Sequence, residues 1–279
     1  MKISTRRLLL NRYYLITFLL LIIVPYLSWY FFSGYFEASF IWDLSDMRGT
    51  REEYFQTVFS FQNFAIDSFS LIQMILPVFS GIVMLPFLRD QKLYPICYLR
   101  TKSYRRFVLS NIIKHVLAGC IVLYLAYCVL MLIGASILHP VVLYYERDLY
   151  MDILGRSFYS DHPILFLLLD GFHKYIIFGS VYALFFAAVS FYTRRWYLCV
   201  LIPVVYYFGL DLLCSAIGSM YSVDLFYFSP AYTIVPDGRF YTSTIQVLAP
   251  LLPPLLFSIA TFIWGLSRKR KHGDVYAAA

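Results

Sequence analysis

The sequence predicts an all-α integral membrane protein. It has six transmembrane helices, both termini cytoplasmic, an interfacial N-terminal helix and a re-entrant outer segment between spans five and six. Three observations carry this. The chain of 279 residues is 61% hydrophobic and only 14% charged, outside the usual globular range. Its apolar residues fall in runs of about 20, the length that a hydrocarbon layer about 30 Å thick demands of a helix. Its Lys and Arg residues alternate between rich and poor connections. Residues 1–279 read as a single transmembrane domain.

The elements follow in order. MKISTRRLLLNRYYL offers Ser4 or Thr5 as a helix cap, then basic residues among leucines. It reads as an amphipathic lead-in on the inner interface or as an orientation signal alone. The first span covers 13–32 and has no small-x-small cleavage site, so it is not a cleavable signal. The second, third and fourth cover 63–88, 115–138 and 174–192, and the fifth and sixth cover 196–217 and 244–266. TRRWY joins the fourth to the fifth, and so short a turn predicts antiparallel neighbours. PILFLLLDG, ahead of the fourth span, is apolar but too short to cross. It is either an interfacial helix or an outward extension of that span, with Lys174 at the boundary. Pro77, Pro86, Pro203, Pro250, Pro253 and Pro254 fall in spans; each removes a backbone hydrogen bond and acts as a hinge or as fixed shape. Gly179, Ala183 and Ala187 form a small-residue ridge for close packing.

Charge sets the orientation. The segments around 1–12, 89–114, 194–195 and 268–271 hold seventeen of the 23 Lys and Arg residues. The opposite connections hold twelve of the sixteen acids. The positive-inside rule then places both termini in the cytoplasm, in a multi-pass protein of the plasma membrane. The net charge of +7 is accounted for by this bias and by membrane lipids, so no nucleic-acid partner is expected.

Motifs for catalysis are absent. The sequence holds no GxxxxGK[ST], HExxH or GxSxG, so no hydrolysis of ATP is expected from this chain, and it reads as no enzyme. Glu52–Glu53 lacks the partners of an intramembrane protease. The five cysteines and five histidines are scattered without ligand spacing, so no metal or other cofactor is expected. Two acids lie in apolar runs, Asp67 and Asp211. A carboxylate in hydrocarbon faces a cavity or a polar partner: each is a point on a substrate path, or is hydrated or bonded to a Ser or Tyr hydroxyl.

The densest basic stretch is FLRDQKLYPICYLRTKSYRRFVLSNIIKHV, with seven Lys and Arg between Arg89 and Lys114 against Asp90. Pro95 suits the first turn of a short helix, and Ser103 can cap the next. Tyr104, Phe107, Val108, Asn111, Ile112 and His115 recur at three- and four-residue spacing, an amphipathic approach to the third span. Tyr94, Tyr98, Leu99 and Tyr104 sit among the charges like a docking surface. The third outer connection, GSMYSVDLFYFSPAYTIVPDGRFYTS, is aromatic and broken by Pro230, Pro236 and Gly238, which fits a segment dipping into the outer interface.

Taken with the topology, the order Asp90, Leu99, Arg100, Thr101, Ser103, Arg105 and Arg106 resembles the type-2 permease subunits of ATP-binding-cassette exporters. The motif covers about 20 residues, and Lys92–Leu93 departs from it where a glycine is common. The resemblance implies that Tyr94, Tyr98, Leu99, Arg100 and Tyr104 form a coupling helix. That helix docks on a separate nucleotide-binding ATPase subunit, which holds the ATP and Mg2+. It implies a second copy or a homologous permease as partner, a substrate path past Asp67 and Asp211, and an outer gate at Tyr227, Phe228 and Tyr232. The competing expectation is a membrane accessory or immunity protein that binds a toxin or peptide without an ATPase.

Overall fold

The computed structural model describes residues 11–31, 59–65, 68, 76–91, 103–138, 140–141, 158–193, 195–223, 225, 228–230 and 248–271. Every regular element among the described residues is helical. Among the described residues four helices are long and apolar enough to cross a membrane: Arg12–Phe31, Arg105–Ile137, Pro163–Val189 and Trp196–Tyr221. A shorter apolar helix covers Ala249–Gly265.

Helix α1 (Arg12–Ser28) starts at Asn11, whose side chain accepts a hydrogen bond from the Tyr13 N–H and so fills one orphan donor of the first turn. It runs through Pro25 unbroken. The second apolar run is broken: α2 (Leu76–Val83) and α3 (Leu85–Gln91) meet at Met84. Pro86 explains the break, because it has no N–H to give to the Ile82 carbonyl. Tighter bonds flank the joint, from Met84 N to Gly81 O and from Phe87 N to Met84 O, both 3.0 Å.

Helix α4 (Tyr104–Ile137) has 34 residues, about 51 Å at 1.5 Å per residue, so it exceeds a hydrocarbon layer by about 20 Å. The approach and the third span expected at 115–138 are therefore one helix. Val108, Asn111, Ile112 and His115 are buried on one face, while Arg105, Arg106 and Lys114 are exposed. Ser103 holds the N-cap position in extended backbone but makes no capping bond with its side chain.

A short helix α5 (Phe158–Asp161) leads into α6 (Pro163–Gly171), a π-helical segment (Phe172–Phe178) and α7 (Gly179–Val189). Residues 163–189 thus form one continuous helix, and the fourth span starts at Pro163 instead of 174. PILFLLLDG is its extension, and Lys174 lies inside the helix, not at its boundary. The sequence boundary fell late because Asp170, His173 and Lys174 interrupt the apolar run; the protein interior accommodates them, so the helix continues. After a turn at 190–192, α8 (Trp196–Tyr221) runs back alongside α7, four residues past the boundary expected at 217. Ring contacts Tyr182–Tyr207 at 5.8 Å and Phe185–Tyr206 at 5.6 Å fix their antiparallel register. The last helix, α9 (Leu252–Lys271), follows a 3-10 turn at Ala249–Leu251. Pro253 and Pro254 occupy its first turn, where missing N–H groups do no harm.

The 163–189 helix is the hub, packing against α2, α4, α8 and α9, while α1 lies along α4. It and α4 are each 56% buried over their most apolar stretch, against 22% for α8 and 28% for α1. The ridge Gly179–Ala183–Ala187 is buried within the chain, with Gly179 facing Cys120 of α4. Gly171 permits a close approach of the hub to α4: an added Cβ would fall onto the Tyr127 ring. Gly171→Ala is therefore expected to destabilise the protein by about 1–3 kcal/mol through overpacking. Gly209, with nothing within 4 Å of its Cβ position, should tolerate alanine with a gain of up to about 1 kcal/mol. Unfolding of the two purified variants in detergent checks the contrast.

Candidate functional site

Three polar clusters interrupt the apolar interior. The first lies at the basic end of the bundle, where α3 and α4 bracket residues 92–102. His115 is buried, its Nδ1 2.8 Å from the Asn111 carbonyl and its Nε2 3.3 Å from Asp90 Oδ2. Exposed Arg89 stands 3.8 Å from the other Asp90 oxygen. The next residue, Gln91, donates from Nε2 to Ser190 Oγ at 2.9 Å, and Ser190 donates to the Ala187 carbonyl at 2.6 Å. The two sides of the 89–114 segment are thus tied to each other by Asp90–His115 and to the hub helix by Gln91–Ser190. The turn after Ser190 is held locally, with Arg195 N donating to Thr193 Oγ1 at 3.2 Å.

The second cluster is inside the hub. Lys174 Nζ donates to Asp170 Oδ2 at 2.5 Å, with side chains only 5% and 11% exposed. The pair sits one turn apart on the same helix face. His173 is buried beside it, its ring 5.3 Å from that of Phe178. The shell is aromatic: the Tyr127 and Tyr175 rings lie 5.1 Å apart and Tyr124 meets Phe172 at 6.0 Å. The Tyr124 hydroxyl donates to the Leu168 carbonyl at 3.1 Å, one turn before the helix changes from α to π. A side chain entering the backbone ladder is a recognised cause of such irregularity. Lys174 is fifteen residues from Val189, about 22 Å along a helix axis, and its ammonium is paired with Asp170.

The third cluster joins Asp211 of α8 to Ser229, whose hydroxyl donates to Asp211 Oδ1. Ser229 is fully buried, whereas the adjacent Phe228 is exposed. Helix α8 ends ten residues beyond Asp211, with Ser222 in the left-handed region at φ 52°. The chain therefore returns about 15 Å along the helix before reaching Ser229. Of the two readings for Asp211, the hydroxyl partner is the one the structure displays.

The remaining expected residues fare as follows. Tyr94, Tyr98, Leu99, Arg100, Asp67, Tyr227 and Tyr232 lie outside the described residues, as do Ser4 and Thr5. Tyr104 is the first residue of α4. Asp90, known from sequence order alone, gains a partner in His115. Reading the sequence missed Asp170 and Lys174, although their i, i+4 spacing with His173 between them was the available signal. Among the described residues no three His, Cys, Asp or Glu side chains converge as a metal site. Comparison of the chain with family models, with curated proteins and with solved structures finds no match.

Removing one partner of a buried ion pair strands the other charge. Asp170→Asn and Lys174→Met are each expected to lose about 3–5 kcal/mol of stability. The double change Asp170→Leu/Lys174→Met should recover most of that loss. Thermal unfolding of the four proteins in one detergent measures the non-additivity.

Proposed function

We propose that the chain is the permease subunit of an ATP-driven exporter of the ATP-binding-cassette type-2 kind. It acts in the plasma membrane as a multi-pass protein with six spans and both termini cytoplasmic. Two permease copies, or this chain and a homologue, form the substrate path. A separate ATPase subunit holds ATP and Mg2+ and docks on residues 94–104. The outer segment around Phe228 is re-entrant and serves as the gate, with Asp211 on the path.

One observation carries this reading: the end of α3, from which the basic segment leaves, is tied both to α4 and to the hub helix. Asp90 is paired with His115 and Gln91 with Ser190, so a force applied to residues 92–102 would reach α3, α4 and the hub together. A loop whose charge served orientation alone would need no such anchorage. The Asp211–Ser229 bond likewise supports an outer segment packed against the fifth span.

Co-purification from native membranes tests the reading. A nucleotide-binding subunit should accompany the chain, and ATP hydrolysis by that complex should respond to loop changes. Tyr98→Ala, Leu99→Ala and Arg100→Glu are expected to lower association or stimulated ATPase activity at least tenfold while membrane insertion persists. Recovery of the chain with a bound toxin or peptide and no ATPase would favour the accessory-protein reading instead.

A further inference from the structure

The basic end of α4 carries two rows of residues side by side. Side chains four apart on a helix are neighbours, about 5–6 Å between Cβ atoms. One row is Arg106, Ser110 and Lys114, with both cations exposed and the serine half-buried. The row beside it is Leu109, Ile113, Leu117, Ile121 and Leu125, each between 37% and 53% exposed. The polar row stops at Lys114, since its next positions, Ala118 and Val122, are buried; the apolar row runs on down the helix. Neither Arg106 nor Lys114 forms an ion pair among the described residues. From Arg89 to Lys114 the sequence offers one acid, Asp90, and His115 and Arg89 already share it. The first turn of α4 holds no acid, so Arg105 and Arg106 stand at the positive end of the helix dipole, where cations are disfavoured. This excess of charge calls for an anion from outside the chain.

We propose that this face of α4 binds an anionic phospholipid of the leaflet at the basic end of the bundle. The phosphate lies over Ser110, with Arg106 and Lys114 one turn away on either side, and an acyl chain follows Ile113, Leu117 and Ile121. Length supports this placement. A hydrocarbon layer takes about 20 helical residues, whereas exposed apolar side chains on α4 extend from Leu109 to Ile137, about 42 Å along the axis. The excess falls at the end that carries Arg105, Arg106 and Lys114, so Leu109 and Ile113 share the headgroup layer with those cations. Helical side chains lean toward the N-terminus of their helix, which aims Lys114 at that layer while its stem covers apolar surface. Basic residues at the edge of a bilayer attract anionic lipids. A soluble phosphate would match the polar row alone; only a lipid matches both rows. The site lies outside residues 92–102 and does not rest on the permease reading.

Native mass spectrometry of the full chain, released from nanodiscs of dioleoyl phosphatidylglycerol and dioleoyl phosphatidylcholine in equal parts, provides the test. The chain should retain phosphatidylglycerol in preference to phosphatidylcholine; equal retention overturns the site. Arg106→Gln/Lys114→Gln should lower that retention at least about tenfold, whereas Arg106→Lys/Lys114→Arg, which keeps both charges, should preserve it. Arg89→Gln/Arg195→Gln removes two other exposed cations at the same end and should leave it unchanged. An equal loss in that control would show attraction to surface charge alone and overturn the site. Ile113→Asn keeps every charge and should weaken retention several-fold, with added glycerol phosphate failing to displace the lipid. Displacement by glycerol phosphate would assign the face to a soluble anion, and release of a dimer that Ile113→Asn disperses would assign it to a second copy; either result overturns the proposal. No readout requires an ATPase, so failure to find that partner and failure of the lipid site remain distinct results.

Discussion

A helix that carries an ammonium and a carboxylate within its apolar length cannot face lipid, and the rest of the bundle is arranged around that constraint. Asp170 and Lys174 lie in the helix 163–189, and their side chains are nearly sealed from the surface. In hydrocarbon each charge would be expensive alone. Paired at 2.5 Å and surrounded by Tyr127, Tyr175 and Phe178, they are held by protein on every side. Helix α4 packs along the 163–178 stretch that holds the pair, and α2, α8 and α9 pack on Gly179–Val189. The small residues Gly171, Gly179, Ala183 and Ala187 let them come close, because packing rather than water expulsion drives helix association in a membrane.

From this hub the polar groups divide by end. At the basic end, Gln91 and Ser190 link the hub to α3, and Asp90 and His115 link α3 to α4. At the other end, Asp211 and Ser229 fold the chain after α8 back against it. The apolar middle between them is aromatic and tightly filled.

Much of the fold was legible in the sequence. Hydrophobic run length located the first and fifth spans to within a few residues, and the spacing Phe107–Val108–Asn111–Ile112–His115 marked the inward face of α4 before its depth was known. TRRWY correctly implied antiparallel neighbours. The errors share one cause. Hydropathy treats a charged residue as a boundary, so DGFHK put the start of the fourth span eleven residues late and concealed the ion pair. Likewise the extent of α4 was hidden because its basic residues lie on the exposed face of an otherwise continuous helix. Partners such as His115 for Asp90 and Ser229 for Asp211 are tertiary facts: residues 25 and 18 positions apart leave no periodic trace of their meeting.

The claim on which the account turns is that residues 178–189 of the hub helix are enclosed by their neighbours while α1 and α8 face the lipid. Carbene footprinting with a lipid-soluble diazirine, read residue by residue by mass spectrometry, tests it in the native bilayer. The account predicts heavy labelling at exposed positions such as Leu19, Leu201, Val205 and Leu212 and near-background labelling over 178–189. Labelling of 178–189 at a level comparable with α8 would contradict it.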